Sequence, residues 1–421
     1  MHYDTLDMAC EVERFIKEMN SGLNSHGTSS LAMIPTYLTV AETVQQDQVA
    51  TVIDAGGTNL RVGSVVFDAK GTPSISNFKK TQMPGIKKEL SKADFFGTLV
   101  DYTYEVAQKS TSIGFCFSYP ATIGQDKDAT LMRWSKEVKA PEVVGEKIGK
   151  NLVEGLKEKD TKDRTCVVLN DSVATLLGGK GITSERVFDS YIGFIFGTGT
   201  NMCYIESVDA ISKLEQVREQ LQEKTMIINM ESGAYNQLPR GIMDKELDET
   251  TSNPGDYQFE KMVSGRYLGK LTLRVLQVAA KEGFFSEACN EALSSIKMCE
   301  LIDVSLFMAN PYDSSNLLVK CIAEEKDRTL LYTMIDAMIE RAAKACAIQL
   351  SGVILKTDKG TKPEQPVGIV VEGTTFFKLK GYQDKLAYYL KSFLVEEKGR
   401  YYEFIQGEHL NLIGTALAAL S

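Results

Sequence analysis

Short apolar runs interrupted by glycine set the rhythm of the first half of the chain. Residues 49–67 are apolar on both sides of Gly56-Gly57, the pattern of a β-hairpin, and 113–119 and 166–169 are further apolar runs of strand length. Between them, 95–109 and 142–157 space their apolar positions at helical intervals. So do Leu6, Cys10, Phe15, Ile16 and Met19 within 5–22, ahead of a Ser/Gly-rich connector over 20–30. The opening theme then returns, because 191–196 and 201–206 flank a second glycine turn as 51–54 and 60–67 flank the first. That repetition predicts duplicated lobes. From 257 to about 350 the period is helical, clearest over 260–281 and 330–350, with a break at Asn310-Pro311. A last strand over 367–371 leads to a helix over 382–393, and the chain closes on a small-residue segment, 414–420. Strands alternating with helices predict the α/β class.

A chain of 421 residues exceeds one ordinary core, and a prior of roughly 150 residues per domain favours two large lobes around a cleft. No apolar stretch approaches the ~20 residues of a membrane span, and the start Met1-His2-Tyr3-Asp4 lacks the basic and apolar regions of a signal peptide. The expectation is a soluble, cytoplasmic protein. Eight cysteines without a CxxC pair read as reduced small hydrophobes. Only His2, His26 and His409 are present, too few for a His-rich zinc site or a Ser-His-Asp triad. The net charge of −9 argues against a nucleic-acid partner, so any bound phosphate must be held locally.

Two features carry chemistry. Asn170-Asp171 ends the apolar run Cys166-Val167-Val168-Leu169 and opens a small-residue helix, so its carboxylate projects into the crevice where open α/β sheets bind ligands. Asp171 is the candidate general base; a plain N-cap is the alternative use of the same residue. The second feature is the pair of turns Asp54-Ala55-Gly56-Gly57-Thr58-Asn59-Leu60-Arg61 and Gly197-Thr198-Gly199-Thr200-Asn201. Glycine permits φ > 0 and lets backbone N–H groups converge on phosphoryl oxygens, so each reads as a phosphate clamp. Asp54 could orient water around a Mg²⁺ carried by a nucleotide, or serve only as a turn former. No Gly-x-x-x-x-Gly-Lys-Ser/Thr occurs, so this is not a P-loop.

In order along the chain, Val52-Ile53-Asp54-Ala55-Gly56-Gly57-Thr58-Asn59-Leu60-Arg61-Val62, Gly114-Phe115-Cys116-Phe117-Ser118-Tyr119-Pro120, Leu131-Met132-Arg133-Trp134-Ser135-Lys136, Leu169-Asn170-Asp171-Ser172 and Gly197-Thr198-Gly199-Thr200-Asn201 resemble the hexokinase/glucokinase family. Asn229-Met230-Glu231-Ser232-Gly233, Glu260-Lys261-Met262-Val263-Ser264-Gly265 and Val371-Glu372-Gly373-Thr374-Thr375 extend the resemblance over most of 50–380. It implies the two-lobed actin-like ATPase (ribonuclease H-like) fold, with the active-site cleft between the lobes. The small lobe would comprise 36–169 plus 411–421, and the large lobe 1–35 plus 170–410. The implied sugar contacts are Ser118, Ser135, Lys136, Asn170, Asp171, Asn201, Glu231 and Glu260, with Lys136 also catalytic beside Asp171. The implied nucleotide contacts are Asp54, Gly56, Gly57, Thr58, Asn59, Arg61, Gly197, Thr198, Gly199, Gly373 and Thr374, and Asp54 would touch Mg²⁺ through water.

The activity implied is ATP-dependent phosphorylation of a hexose, glucose above all, at its 6-hydroxyl by a monomer or homodimer. Another hexose kinase acting on fructose, mannose or N-acetylglucosamine, or an idle sugar sensor on the same scaffold, are the alternatives. Two departures from the family pattern bear on sugar choice: Tyr119 stands where phenylalanine is usual, and Ser232 where a tryptophan is typical.

Overall fold

The computed structural model describes residues 3–40, 47–134, 138–183 and 185–421. Helix α1 (Met8–Asn24) and the two-residue strand β1 (Ile34–Pro35) precede β2 (Val49–Ala55), β3 (Asn59–Phe67) and β4 (Pro73–Gln82). Then come α2 (Lys92–Ala107), β5 (Ser112–Phe117), the small hairpin β6 (Ala121–Ile123) and β7 (Ala129–Leu131), α3 (Ile148–Asp160), β8 (Thr165–Leu169) and α4 (Asp171–Ile182). The second half opens with β9 (Ser190–Phe196), β10 (Thr200–Ser207) and β11 (Thr225–Asn229). A helical layer follows: α5 (Ile242–Glu249), α6 (Gln258–Val263), α7 (Leu268–Lys281), α8 (Glu287–Ser295), α9 (Leu301–Ala309) and α10 (Glu325–Lys356). Strand β12 (Val367–Glu372), α11 (Thr374–Lys378), α12 (Tyr382–Leu390), β13 (Tyr402–Ile405) and α13 (Leu410–Ala419) complete the chain.

The two main sheets repeat one scheme. The first runs β4-β3-β2-β5-β8, antiparallel across β4–β3 and β3–β2, parallel across β2–β5 and β5–β8. The second runs β11-β10-β9-β12-β13 with the same succession of antiparallel and parallel neighbours, and β1 extends it beyond β11. The duplicated glycine turn is therefore the first hairpin of each sheet, β2–β3 and β9–β10. Central strands of such sheets are covered on both faces, which is why β2 and β12 are nearly continuous apolar runs.

Helices α2 and α3 cover one face of the first sheet through Phe95, Leu99, Leu152 and Leu156. Its other face receives α13, where Leu412, Ile413 and Ala416 pack on Ala50, Val52 and Val65. Helix α4 lies on the second sheet and also against α13, at a separation that only glycine permits. A methyl group on Gly414 would stand 1.8 Å from the Ala174 carbonyl oxygen, and one on Gly178 would stand 2.2 Å from that of Leu410. The α4/α13 pair thus joins the two sheets, and β8 delivers the chain to the head of α4 between them.

Two details differ from the sequence expectation. The helix anticipated over 260–281 is broken at Ser264-Gly265, where the Gly265 N–H donates to the Gly197 carbonyl at 2.9 Å and a side chain would meet Thr375 Oγ1 at 2.4 Å. The helix expected from 142 begins only at Ile148, because Pro141–Val143 forms a 3₁₀ turn and Gly145 takes φ +87°. Residues through Leu38 run beside β11, with Thr36 N–H donating to Ile227 O at 3.2 Å and Ile227 N–H to Leu38 O at 2.8 Å.

Candidate active site

Asn170 caps α4, its Oδ1 accepting the Ser172 N–H at 2.9 Å and the Ser172 hydroxyl at 2.7 Å. Asp171 occupies the first turn, where the helix dipole favours a negative charge, and it remains partly exposed. Its carboxylate is felt on both sides of the gap. Asp54, at the end of β2, is buried and salt-bridged to Arg61 across the hairpin at 2.6 Å. Burial raises the Asp54 pKa and Arg61 opposes the rise, while the charge of Asp171 adds to it. Glu372, at the end of β12, is pushed up to about 7 by burial and by Asp54 and Asp171, and its Oε2 is buried with no hydrogen-bond partner among the described residues. Glu231 is raised by burial, with Asp171 again contributing.

A line of amides connects Asp171's neighbour to Glu231. Asn201 Nδ2 donates to Asn229 Oδ1 at 2.8 Å and to Asn170 Oδ1 at 3.2 Å, while Asn229 Nδ2 donates to Glu231 Oε1 at 3.0 Å. Asn201 Oδ1 in turn accepts the Ser232 N–H at 3.1 Å. Glu231 itself is left-handed, at φ +56°, an uncommon state for a non-glycine residue that the surrounding bonds hold in place. Glu260 accepts the Thr200 N–H at 3.0 Å, which ties it to the base of the second hairpin. Asn170, Asp171, Asn201, Glu231 and Glu260 are therefore gathered around one gap. Ser118 belongs to the first sheet, just past the end of β5, with its N–H donating to Ala55 O at 3.2 Å. Ser135 and Lys136 lie outside the described residues.

In the first turn, the Gly56 N–H donates to Asn59 O at 3.0 Å, Asn59 Nδ2 donates to Thr58 Oγ1 at 2.9 Å, and Thr58 is exposed beside a half-buried Gly57. In the second, the Gly197 N–H donates to Gly199 O at 2.9 Å and Thr198 is exposed. Gly373 abuts this turn: a methyl group on Gly197 would lie 3.4 Å from Gly373 Cα and 3.8 Å from Thr374 N.

The expectation that these glycines serve a positive φ is corrected here. None of Gly56, Gly197 and Gly199 adopts one, whereas Gly373 does, at φ +123°. Space is the reason at Gly199, since a methyl group there would meet Glu260 Oε2 at 2.5 Å.

Four residues were not singled out from sequence. Asn229 and Glu372 follow the same rule that exposed Asp171, a polar side chain closing an apolar strand, and that signal could have found them. Tyr257 and Arg133 left no such mark. The Tyr257 hydroxyl stands 3.5 Å from Glu231 Oε2, Arg133 Nη2 stands 3.4 Å from that hydroxyl, and the guanidinium lies 5.6 Å from the ring centre. Tyr257 is also left-handed, at φ +49°.

Asp54, Asp171 and Glu372 leave a surplus of negative charge at this gap, which suits a cation. Among the described residues, however, no three acidic, histidine or cysteine side chains are grouped closely enough to cage a metal. Residues so disposed fit a Mg²⁺ carried by nucleotide phosphates better than one held in a protein cage.

Two matching sheets with a helix-head carboxylate between them make up the two-lobed α/β architecture of the actin-like ATPase fold. The hexokinase family is matched over residues 1–180 and again over 191–421. The chain is 30% identical to a glucokinase of Aspergillus niger, covering 87% of this chain and 84% of that one. It is 31% identical to hexokinase-1 of Nicotiana tabacum, covering 96% and 85%. A hexokinase from Schistosoma mansoni, solved in complex with glucose, superposes with a TM-score of 0.79 at 24% identity, over 99% of this chain and 96% of that one. The chain belongs to the hexokinase family. It is a sugar kinase that phosphorylates a hexose at the expense of ATP. No helix among the described residues is long and apolar enough to cross a membrane.

Proposed function

We propose that this enzyme transfers the γ-phosphoryl group of ATP to the 6-hydroxyl of glucose, with Asp171 as general base. The observation that carries the reading is the position of Asp171, whose charge acts on Asp54 and Glu372 beside the two glycine turns and on Glu231 at the end of the amide line. A base so placed would serve both the phosphate and the sugar. Phosphoryl transfer makes little other covalent demand on a protein, so positioning and charge supply the rest.

Asn170, Asn201, Glu231 and Glu260, with Ser118, would read the hydroxyls of the sugar, since carboxylates and amides suit groups that both donate and accept, and Ser135 and Lys136 would join them. Lys136 would add positive charge near the reacting phosphate. Gly56 and Gly197 spend their N–H groups inside their own turns, which leaves Gly57, Thr58, Thr198 and Gly199, with Gly373 and Thr374, to approach the phosphates. Asn59 would brace Thr58, and Arg61 would balance the charge of Asp54. Asp54 would orient water on Mg²⁺, which supplies charge neutralisation at the phosphates when bound.

The lobes follow the sheets: a small lobe of 47–169 with 411–421, and a large lobe that keeps the segment through Leu38 because it pairs with Ile227. Sugar binding would close them and exclude water, the competing phosphoryl acceptor. The test is a coupled assay with ATP over glucose, fructose, mannose and N-acetylglucosamine, with the product identified by phosphorus NMR. Glucose 6-phosphate is expected, with slow ATP hydrolysis when sugar is omitted. ADP release no faster with any sugar than without one would overturn the reading in favour of an idle sensor.

A further inference from the structure

Arg133 and Tyr257 are carried by different parts of the molecule. Leu131 and Trp134, on either side of Arg133, pack in the core of the first sheet. Phe259 and Met262, just after Tyr257, pack in the core of the second. The two residues nevertheless meet, with Arg133 Nη2 3.4 Å from the Tyr257 hydroxyl and the guanidinium 5.6 Å from the ring centre. The same hydroxyl stands 3.5 Å from Glu231 Oε2. Arginine only donates, an ionised carboxylate only accepts and a phenol does both, so Arg133 donates to Tyr257 and Tyr257 donates to Glu231. Tyr257 is built into this place. Its φ of +49° is a state that a ring-bearing residue keeps only where its surroundings enforce it. Here the preceding loop is clamped, since Asp248, 6% exposed, accepts the Gly255 N–H at 3.1 Å and the Lys261 ammonium at 2.5 Å. Lys261 Nζ also donates to Asn253 O at 2.7 Å, and the Lys261 N–H to Tyr257 O at 3.1 Å.

We propose that Arg133 is a positioning residue for sugar binding, fixing Glu231 Oε2 from the first-sheet core through the Tyr257 hydroxyl; this rests on the reading of Glu231 as a sugar contact. The two oxygens of Glu231 are held by different means. Oε1 accepts from Asn229 Nδ2 at 3.0 Å, and Asn229 ends β11, the strand that leads directly into Glu231, so that bond is indifferent to how closely the two cores approach. Oε2 is held by a path that starts on the other core. Successive hydrogen bonds polarise one another, so the guanidinium strengthens the bond that the phenol gives to the carboxylate. Its charge acts in the same direction: burial raises the Glu231 pKa, and Asn229, Tyr257 and Arg133 each oppose the rise. Arg133 therefore sets how firmly Glu231 is held in readiness for a sugar hydroxyl, and takes no part in moving the phosphoryl group.

The test compares Arg133→Ala, Tyr257→Phe and the two together with the parent, and takes Glu231→Ala as reference. Arg133 is exposed, so its removal leaves both cores intact. Glucose affinity is measured by isothermal titration calorimetry and kcat at saturating MgATP. Arg133→Ala is expected to weaken glucose binding roughly three- to tenfold, with kcat changed by less than about twofold. Tyr257→Phe keeps the ring under the guanidinium and removes the hydroxyl, so adding Arg133→Ala to it should weaken binding by less than about twofold more. Fully additive losses, or a fall in kcat as large as the loss of affinity, would overturn the proposal, because Arg133 would then act by some route other than the Tyr257 hydroxyl. Unchanged affinity in Arg133→Ala, with binding weakened in Glu231→Ala, would overturn it alone. Unchanged affinity in Glu231→Ala would remove the sugar reading of that carboxylate and this proposal with it.

Discussion

Asn201 donates its side-chain amide to Asn229 at 2.8 Å, and through Asn229 it fixes Glu231 at 3.0 Å. Asn229 is 6% exposed and touches the proposed sugar only through its neighbours, so it is a positioning residue. Asn229→Ala leaves Asn201 and Glu231 each short of a partner, a loss of about 1.5 kcal/mol per buried bond. Half-saturating glucose is expected to rise ~10-fold with kcat changed much less. Steady-state kinetics at saturating ATP checks this, and an unchanged KM would mean that Glu231 is held by other groups.

Asp171→Ala removes the proposed base but leaves the Asn170 cap and the amide line in place. Turnover should fall ~100-fold or more, the scale of a lost general base, while glucose binding persists. Trp134 offers the optical check. Its Nε1 donates to Ala140 O at 2.7 Å and its ring meets Tyr119 edge-on at 4.8 Å, next to the segment that carries Ser135 and Lys136. Glucose should change its emission saturably in both the parent and Asp171→Ala. Near-normal turnover in the variant would assign the base elsewhere.

Glu372 gives the site a pH dependence whose direction can be worked out. Its carboxyl is raised to about 7 by burial, then by Asp54 and Asp171, so it is mostly neutral at pH 6 and mostly ionised at pH 8. Ionisation adds a negative charge where nucleotide phosphates would bind. KM for MgATP is therefore expected to rise roughly three- to tenfold from pH 6 to pH 8, the equivalent of about 0.7–1.4 kcal/mol of repulsion, and Glu372→Gln should flatten the profile. The folded chain also holds this proton more tightly than the unfolded chain. Stability should thus be lost as pH rises from the ordinary glutamate value through about 7. In thermal melts Glu372→Gln should gain on the parent at pH 8 and not at pH 4.

The hairpins and the place of Asp171 at the head of α4 were legible because each rests on a local pattern: apolar runs around glycine, or a carboxylate where a strand passes into a helix. What was not legible depends on partners distant in the chain. Strand β4 is an edge strand with a largely polar sequence, Pro-Ser-Ile-Ser-Asn-Phe-Lys-Lys-Thr-Gln, so pairing with β3 rather than apolar alternation makes it a strand. The break between α6 and α7 is set by the Gly197 turn pressing on Gly265, which helical periodicity does not register. The left-handed backbones of Glu231 and Tyr257 likewise have no local signature, although they bring the two side chains together. The glycine turns were located correctly but explained by the wrong constraint, crowding rather than backbone conformation at Gly199.

That distinction is testable. A methyl group at position 199 would stand 2.5 Å from Glu260 Oε2, so Gly199→Ala should displace a proposed sugar contact although Gly199 lies in a proposed phosphate turn. Its main effect is expected on KM for glucose, severalfold or more, with a smaller effect on KM for ATP. Gly373→Ala should do the reverse, because its φ of +123° and a 2.3 Å approach to Phe196 O distort the backbone beside Gly197 and Thr374. Measuring both constants for both variants checks the assignment, and ATP-dominated effects in each would return Gly199 to the phosphate side alone.

The α4/α13 contact supplies the last prediction. Gly414 admits the Ala174 carbonyl so closely that a methyl group would lie 1.8 Å from its oxygen and 2.6 Å from Gly178 N, both backbone atoms that cannot rotate aside. Gly414→Ala must therefore push the helices apart. Overpacking of this kind costs about 1–3 kcal/mol, which for a lobe of this size lowers Tm by ~2–4 °C per kcal/mol. Helix α4 also carries Asp171 at its head while α13 rests on the first sheet, so the same displacement should move the base relative to Asp54. Turnover is expected to fall more than sugar affinity, because Asn170, Asn201 and Glu231 lie with α4 and the second sheet and travel together. Calorimetry and steady-state kinetics on the one variant separate the two consequences. A lowered Tm with unchanged kcat would mean that the helices part without shifting the head of α4.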